Sequence, residues 1–200
     1  MRKLVFLFLI VFSSLPLWSM FSPGQLEEKV LIVYLSRTNN TKAVAQMIYE
    51  HIGGTLVALE LESSYPENYK AIVAQVAKEN ETGYLPPLKT KIQKMDGYKV
   101  VFVGFPTWGM QLPPPVKSFL STYDLSGKKV VPFNSNAGYG LGNSIKTLKE
   151  MCPNSTVLTA FSTRGGIERD GVYFVIKDEK EKQVRDEVKR WLSGLGLLSE

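Results

Sequence analysis

From Lys29 onward the chain alternates between short, densely apolar runs and longer stretches whose apolar residues recur every three or four positions. The run VLIVYLS (30–36) has almost no polar position, as expected of a strand covered on both faces. From Thr41 to Ile52 the period changes: Ala43, Val44, Met47 and Ile48 share a helical face, and Gly53 and Gly54 end it. TLVALEL (55–61) predicts a second strand, and PENYKAIVAQVAKENE (66–81) a second helix with Tyr69, Ile72, Val73 and Val76 on one face. The alternation continues through a strand at 98–105, a helix at 116–123, a strand at 128–135 and a helix at 142–151. A fifth strand at 156–162 and a last helix at 178–195 complete it. Five such alternations predict one parallel sheet with helices on both faces. Two stretches fit no element: a polar connection from Tyr84 to Met95, and IERDGVYFVIKD (167–178), a short β-like run that suits an edge hairpin or a docking surface.

The first residues follow another pattern. Arg2 and Lys3 precede an apolar run from Leu4 to Phe12, and Ser13, Ser14, Pro16 and Ser19 follow. A basic start, an apolar middle and a small-residue exit predict a secretory signal over 1–19, then a linker over 20–28 and one domain over 29–200. Export to the periplasm or the cell exterior follows; the alternative is a membrane anchor formed by residues 4–21.

With 44% apolar and 22% charged residues, the chain can bury one sizeable core. Removing residues 1–19 takes away two of the 24 basic residues and none of the 19 acidic ones, so the formal charge falls from +5 to +3. The remaining Lys and Arg are scattered, with no dense basic run interleaved with aromatics, which argues against nucleic acid. Cys152 is the single cysteine and His51 the single histidine, so neither an internal disulfide nor a thiolate–imidazole metal site is expected.

In open parallel sheets, ligands sit beyond the carboxyl ends of the strands. Three loops there are unusual: SRTNNT (36–41), PTWGMQLPPP (106–115) and NSNAGYGLGN (134–143). The first opens a helix, whose unpaired N–H groups and dipole favour a phosphate, and Ser36, Thr38, Thr41 and Asn40 add donors. The alternative for this loop is an ordinary capped helix. In the second, Trp108 offers a π face, Gly109 lets the backbone turn an amide toward a ring edge, and Pro113 to Pro115 stiffen the exit. In the third, Gly138, Gly140 and Gly142 allow close wrapping around a ligand, while Tyr139 either covers a ring or lies on the surface. The triphosphate-binding pattern G-x-x-x-x-G-K-[ST] is absent, and GYGLGN follows the fourth strand without dinucleotide-binding spacing. Cys152 reads as a small buried filler.

These loops resemble those of the flavodoxins, from about Lys29 to the last helix. Ser36, Arg37, Thr38, Asn39, Asn40 and Thr41 are similar to the family's phosphate loop, with Asn39 where glycine is usual; asparagine also tolerates positive φ. The resemblance implies a flavodoxin-like three-layer sandwich whose five parallel strands run in the order 2-1-3-4-5. It implies FMN as cofactor, its ring between Pro106, Thr107, Trp108, Gly109 and Met110 on one loop and Ser135, Asn136, Ala137, Gly138, Tyr139 and Gly140 on another. Trp108 would stack on the isoalloxazine, and a peptide flip at Gly109 would present a carbonyl to its central nitrogen. No loop residue is a nucleophile, general base or metal ligand, so the redox chemistry would belong to the flavin. The family's acidic members disfavour an anionic reduced flavin; a chain at +3 with Arg37 beside the phosphate should disfavour it less. An electron carrier docking to redox proteins is the expected function. The alternative is an NAD(P)H-dependent oxidoreductase that reduces quinones or free flavin, and a cofactor-free protein of the same fold is a third reading.

Overall fold

The computed structural model describes residues 29–198; the expected signal segment (1–19) and linker (20–28) lie outside them. Strands β1 (Val30–Tyr34), β2 (Thr55–Ala58), β3 (Val100–Pro106), β4 (Lys129–Asn136) and β5 (Thr156–Val157) form one parallel sheet in the order β2-β1-β3-β4-β5. The helices are α1 (Asn40–Ile52), α2 (Tyr69–Thr82), α3 (Pro114–Thr122), α4 (Ser144–Met151) and α5 (Asp178–Gly194). The parallel sheet and its helices are those the alternation predicts, and the strand order is the one the resemblance to flavodoxins implies.

Although β1 is buried throughout, its pleat still sorts its side chains. Val30, Ile32 and Tyr34 point toward α1 and α5, packing with Val44, Ile48, Val184, Val188 and Leu192. Leu31 and Val33 point the other way, toward Val116, Phe119 and Leu148 of α3 and α4. The sheet therefore separates two cores, which is why its central strands carry so few polar residues.

The expected fifth strand is broken in two. Thr156 faces Lys129, whereas Phe161 of β6 (Phe161–Arg164) faces Phe133, so one extra residue is absorbed between β5 and β6. The break behaves as a bulge on an edge strand. Its free carbonyl is not wasted, for the Trp191 indole on α5 donates to the Thr159 oxygen at 2.9 Å.

At the opposite edge the polar connection finds a role. Residues 87–90 run alongside the continuation of β2: Lys89 N–H donates to the Glu60 carbonyl at 2.8 Å, and Glu62 N–H to that of Pro87 at 3.0 Å. The segment covers backbone groups that an edge would otherwise expose. Helix α2 stands apart from both cores. Ile72 and Val76 are buried, but they join neither cluster, and α2 leans on α3, where Lys117 Nζ donates to Asn80 Oδ1 at 2.8 Å.

Candidate functional site

The carboxyl ends of β1, β3 and β4 open into a cleft of about 490 Å³, a size ordinary for a cofactor or small ligand. From the first loop, Arg37, Thr38, Asn40 and Thr41 line it; from the second, Pro106, Thr107, Trp108 and Gly109; from the third, Ser135, Asn136 and Ala137.

Many polar groups of these loops are already engaged, and the bonding decides what is left for a ligand. Asn39 takes the left-handed conformation, φ 62°, that lets the chain turn into α1. Ser36 Oγ, three residues before the N-cap Asn39, accepts from Lys42 N–H at 3.2 Å and so satisfies one open donor of the first turn of α1. The N–H groups of Asn40 and Thr41, in the first turn, have no intrahelical acceptor and remain available to an anion. Asn40 Nδ2 donates to Thr38 Oγ1 at 2.9 Å and to the Tyr173 carbonyl at 2.6 Å, while its Oδ1 accepts from Val175 N–H at 3.0 Å. Its amide is thus a tie to 173–175 rather than a ligand donor. Thr38 Oγ1, accepting from Asn40, keeps its own proton to give. Thr41 and Ser135 share one bond at 2.8 Å between hydroxyls, which leaves one of the two protons to donate.

The Arg37 guanidinium is committed as well. Nε pairs with Glu168 at 2.6 Å, and the other nitrogens donate to the carbonyls of Pro66 (3.1 Å) and Glu67 (2.6 Å). Its charge beside the first loop is therefore balanced by a carboxylate that also lines the cleft.

Trp108 is half-buried at the mouth, with the Tyr65 ring against it at a centroid distance of 5.5 Å and an interplanar angle of 87°. Trp108 and Gln111 exchange backbone bonds around a two-residue turn in which Gly109 (φ 56°) and Met110 (φ 58°) are both left-handed, the geometry of a type I′ turn. The Gly109 carbonyl and the Met110 N–H have no backbone partner among the described residues. Met110 sits at the tip, exposed and outside the cleft lining, its carbonyl accepting from Asn143 N–H at 2.9 Å.

The third loop is organised by Asn136. Its Oδ1 accepts from the N–H groups of Gly138 (2.8 Å) and Gly140 (3.0 Å), an arrangement that uses the amides a ligand edge would need. Thr107 Oγ1 donates to the Gly140 carbonyl at 2.8 Å and joins the second loop to the third. Gly138, Tyr139 and Gly140 lie outside the cleft lining, and Tyr139 is 65% exposed.

Sequence reasoning missed two walls. One is α2, where Tyr69 and Val73, partly exposed, line the cleft with Val76, Ala77 and Asn80. The spacing predicts the apolar face, but nothing in it separates a core face from a cleft wall. The other is the return of the chain at Gly165, Gly166 and Glu168. A Cβ on Gly166 would lie 1.9 Å from the Tyr173 carbonyl, so only glycine lets 172–174 close over the start of α1. Cys152, which looked like a filler, is buried, and burial pushes its thiol up to about 11.

A parallel sheet in this order, with a helix start and a tryptophan meeting at its carboxyl edge, defines a flavodoxin-like α/β protein. The flavodoxin family profile matches residues 29–173, and the chain belongs to that family. Among solved structures it is similar to a candidate flavoprotein from Bacteroides eggerthii, at 24% identity and a TM-score of 0.67, over 84% of this chain and 98% of that one. A Bacteroides uniformis counterpart matches at 22% identity and TM-score 0.67, over 85% and 99%. A Lactobacillus acidophilus flavoprotein in complex with FMN matches at 19% identity and TM-score 0.62, over 68% and 93%. No curated protein matches the chain.

Proposed function

We propose that the protein binds FMN in this cleft and works as an electron-transfer flavoprotein. The observation that carries the reading is the convergence, on one cleft, of the open N–H groups of α1 with the faces of Trp108 and α2. The donor set suits the cofactor: the backbone N–H groups of Asn40 and Thr41 and the Thr38 hydroxyl for a phosphate, an indole and an apolar helix face for a flat ring. Flavin, when bound, supplies the one- and two-electron chemistry. The protein's own part is to hold the phosphate at α1, stack the indole on the ring and exclude water with Val73 and Val76.

The proposed partners are redox proteins, and the basic, apolar and small-residue order of residues 1–19 supports a meeting with them outside the cytoplasm. The alternative reading is an NAD(P)H-dependent oxidoreductase, which would hold FMN in the same cleft. Chain produced without residues 1–19 should turn yellow with FMN and quench its fluorescence; a colourless protein that leaves added flavin bright overturns the proposal. Rapid bleaching on mixing the yellow form with NADPH would select the enzyme over the carrier.

A further inference from the structure

Behind Trp108 lies a buried carboxylate for which flavin binding as so far described has no use. Glu79 is 5% exposed, and no lysine, arginine or histidine pairs with it among the described residues. Its carboxylate accepts from the Tyr65 hydroxyl, and from Gln75 Nε2 at 2.8 Å. A buried carboxylate without a cation costs stability that a well-packed apolar residue would not. Something is gained by keeping it.

The geometry shows what it holds. Trp108 stands between the main cleft and a neighbouring hollow of about 330 Å³, lining both, whereas Tyr65 lines only the hollow. Tyr65 thus meets the indole from the hollow, its ring perpendicular to it at a centroid distance of 5.5 Å. Glu79 rides on α2, the same helix that presents Tyr69, Val73 and Ala77 as the opposing wall. The two walls of the cleft are linked through one chain of contacts, from α2 through Glu79 and Tyr65 to Trp108.

We propose that Tyr65 and Glu79 are positioning residues that prop the Trp108 indole at a set distance from α2 and so gauge the cleft to the thickness of a flavin ring. The inference rests on the FMN reading above. Burial, and then the bond to Glu79, raise the Tyr65 hydroxyl well above the ordinary phenol range, so it stays a donor throughout the physiological range. The side-chain bonds and ring contact of the prop run to Gln75 and Trp108 and to no residue of the first loop, although Tyr65 shares its hollow with Ser36 and Arg37.

That separation supplies the test. Tyr65→Phe, Glu79→Gln and the pair Tyr65→Phe with Glu79→Leu are titrated with FMN, riboflavin and lumiflavin, and thermal midpoints are recorded without flavin. One hydrogen bond is worth about 0.5–1.5 kcal/mol net, so Tyr65→Phe should weaken all three flavins by the same factor, about twofold to tenfold, with less quenching of the bound ring. Glu79→Gln, which keeps an acceptor, should stay close to the unmodified protein. The double variant should be at least as stable as the unmodified protein and still bind flavin worse, a split that a merely structural role would not produce. Unchanged flavin affinity and quenching in Tyr65→Phe, a loss confined to FMN, or a loss that tracks the thermal midpoint overturns the proposal. Failure of the unmodified protein to bind any flavin overturns the FMN reading itself, and is seen before any variant is made.

Discussion

At the residue scale, Arg37 and Glu168 decide how much positive charge meets the phosphate end. The sequence places a free cation there, but the guanidinium is spent on a carboxylate and two carbonyls. Two substitutions should therefore act in opposite directions. Glu168→Gln leaves Arg37 uncompensated and should tighten FMN, while Arg37→Ala leaves a carboxylate facing the phosphate and should loosen it. A charge-assisted hydrogen bond is worth about 1.5–3 kcal/mol, which corresponds to about tenfold to a hundredfold in affinity. Riboflavin, which lacks the phosphate, should respond far less; fluorescence titrations with both ligands check this, and equal responses would refute it. Asn39 and Met110 mark the limits of legibility at this scale. The left-handed turn at Asn39 could be anticipated because asparagine tolerates it. The one at Met110 could not, since methionine has no preference for positive φ and only the closure of the Trp108–Gln111 turn demands it.

At the element scale, α1 and α5 meet over the first core, and His51 lies in the last turn of α1. Its Nε2 is buried without a hydrogen-bond partner. Burial lowers the imidazole below its ordinary 6.5; Arg185 and Lys189 on α5 lower it further, and Glu50 opposes them. The folded state therefore takes up this proton less readily than the unfolded chain does. The stability tied to neutral His51 is complete above about pH 6.5 and is lost as the pH falls through the unfolded and then the folded value. His51→Gln should flatten the acid side of the stability curve measured by urea unfolding between pH 7 and pH 5; an unchanged slope would count against it. Helix α2 shows why element type is more legible than element role. Its period of three to four is plain, and Tyr69, Ile72, Val73 and Val76 do share a face, yet all four line the cleft, Ile72 and Val76 while buried. The fifth strand shows the converse, for its composition promised continuity and the one-residue bulge appears only when β4 sets the register.

At the scale of the whole molecule, net charge sets the field in which a reduced, anionic flavin would sit. Without residues 1–19 the chain carries a formal +3, against the acidic balance that the resemblance to flavodoxins implies. With Arg37 neutralised by Glu168, the effect falls to the dispersed lysines and arginines and should be long-ranged and screened by salt. The second reduction couple should be less negative than in an acidic family member at low ionic strength, and the gap should narrow as salt is added. Potentiometric titration at two salt concentrations measures both, and an equal or more negative couple would reject the idea.

The sequence by itself determined the sheet, its helices and the three loops at the carboxyl edge, because burial on two faces and helical period are written locally in the order of apolar residues. Tertiary structure alone decided which of those loop groups stay free for a ligand. Arg37 meets Glu168 across 131 positions and Asn40 meets Tyr173 across 133. A polar side chain takes whichever partner the folded chain brings within about 3 Å, and no periodicity encodes that choice.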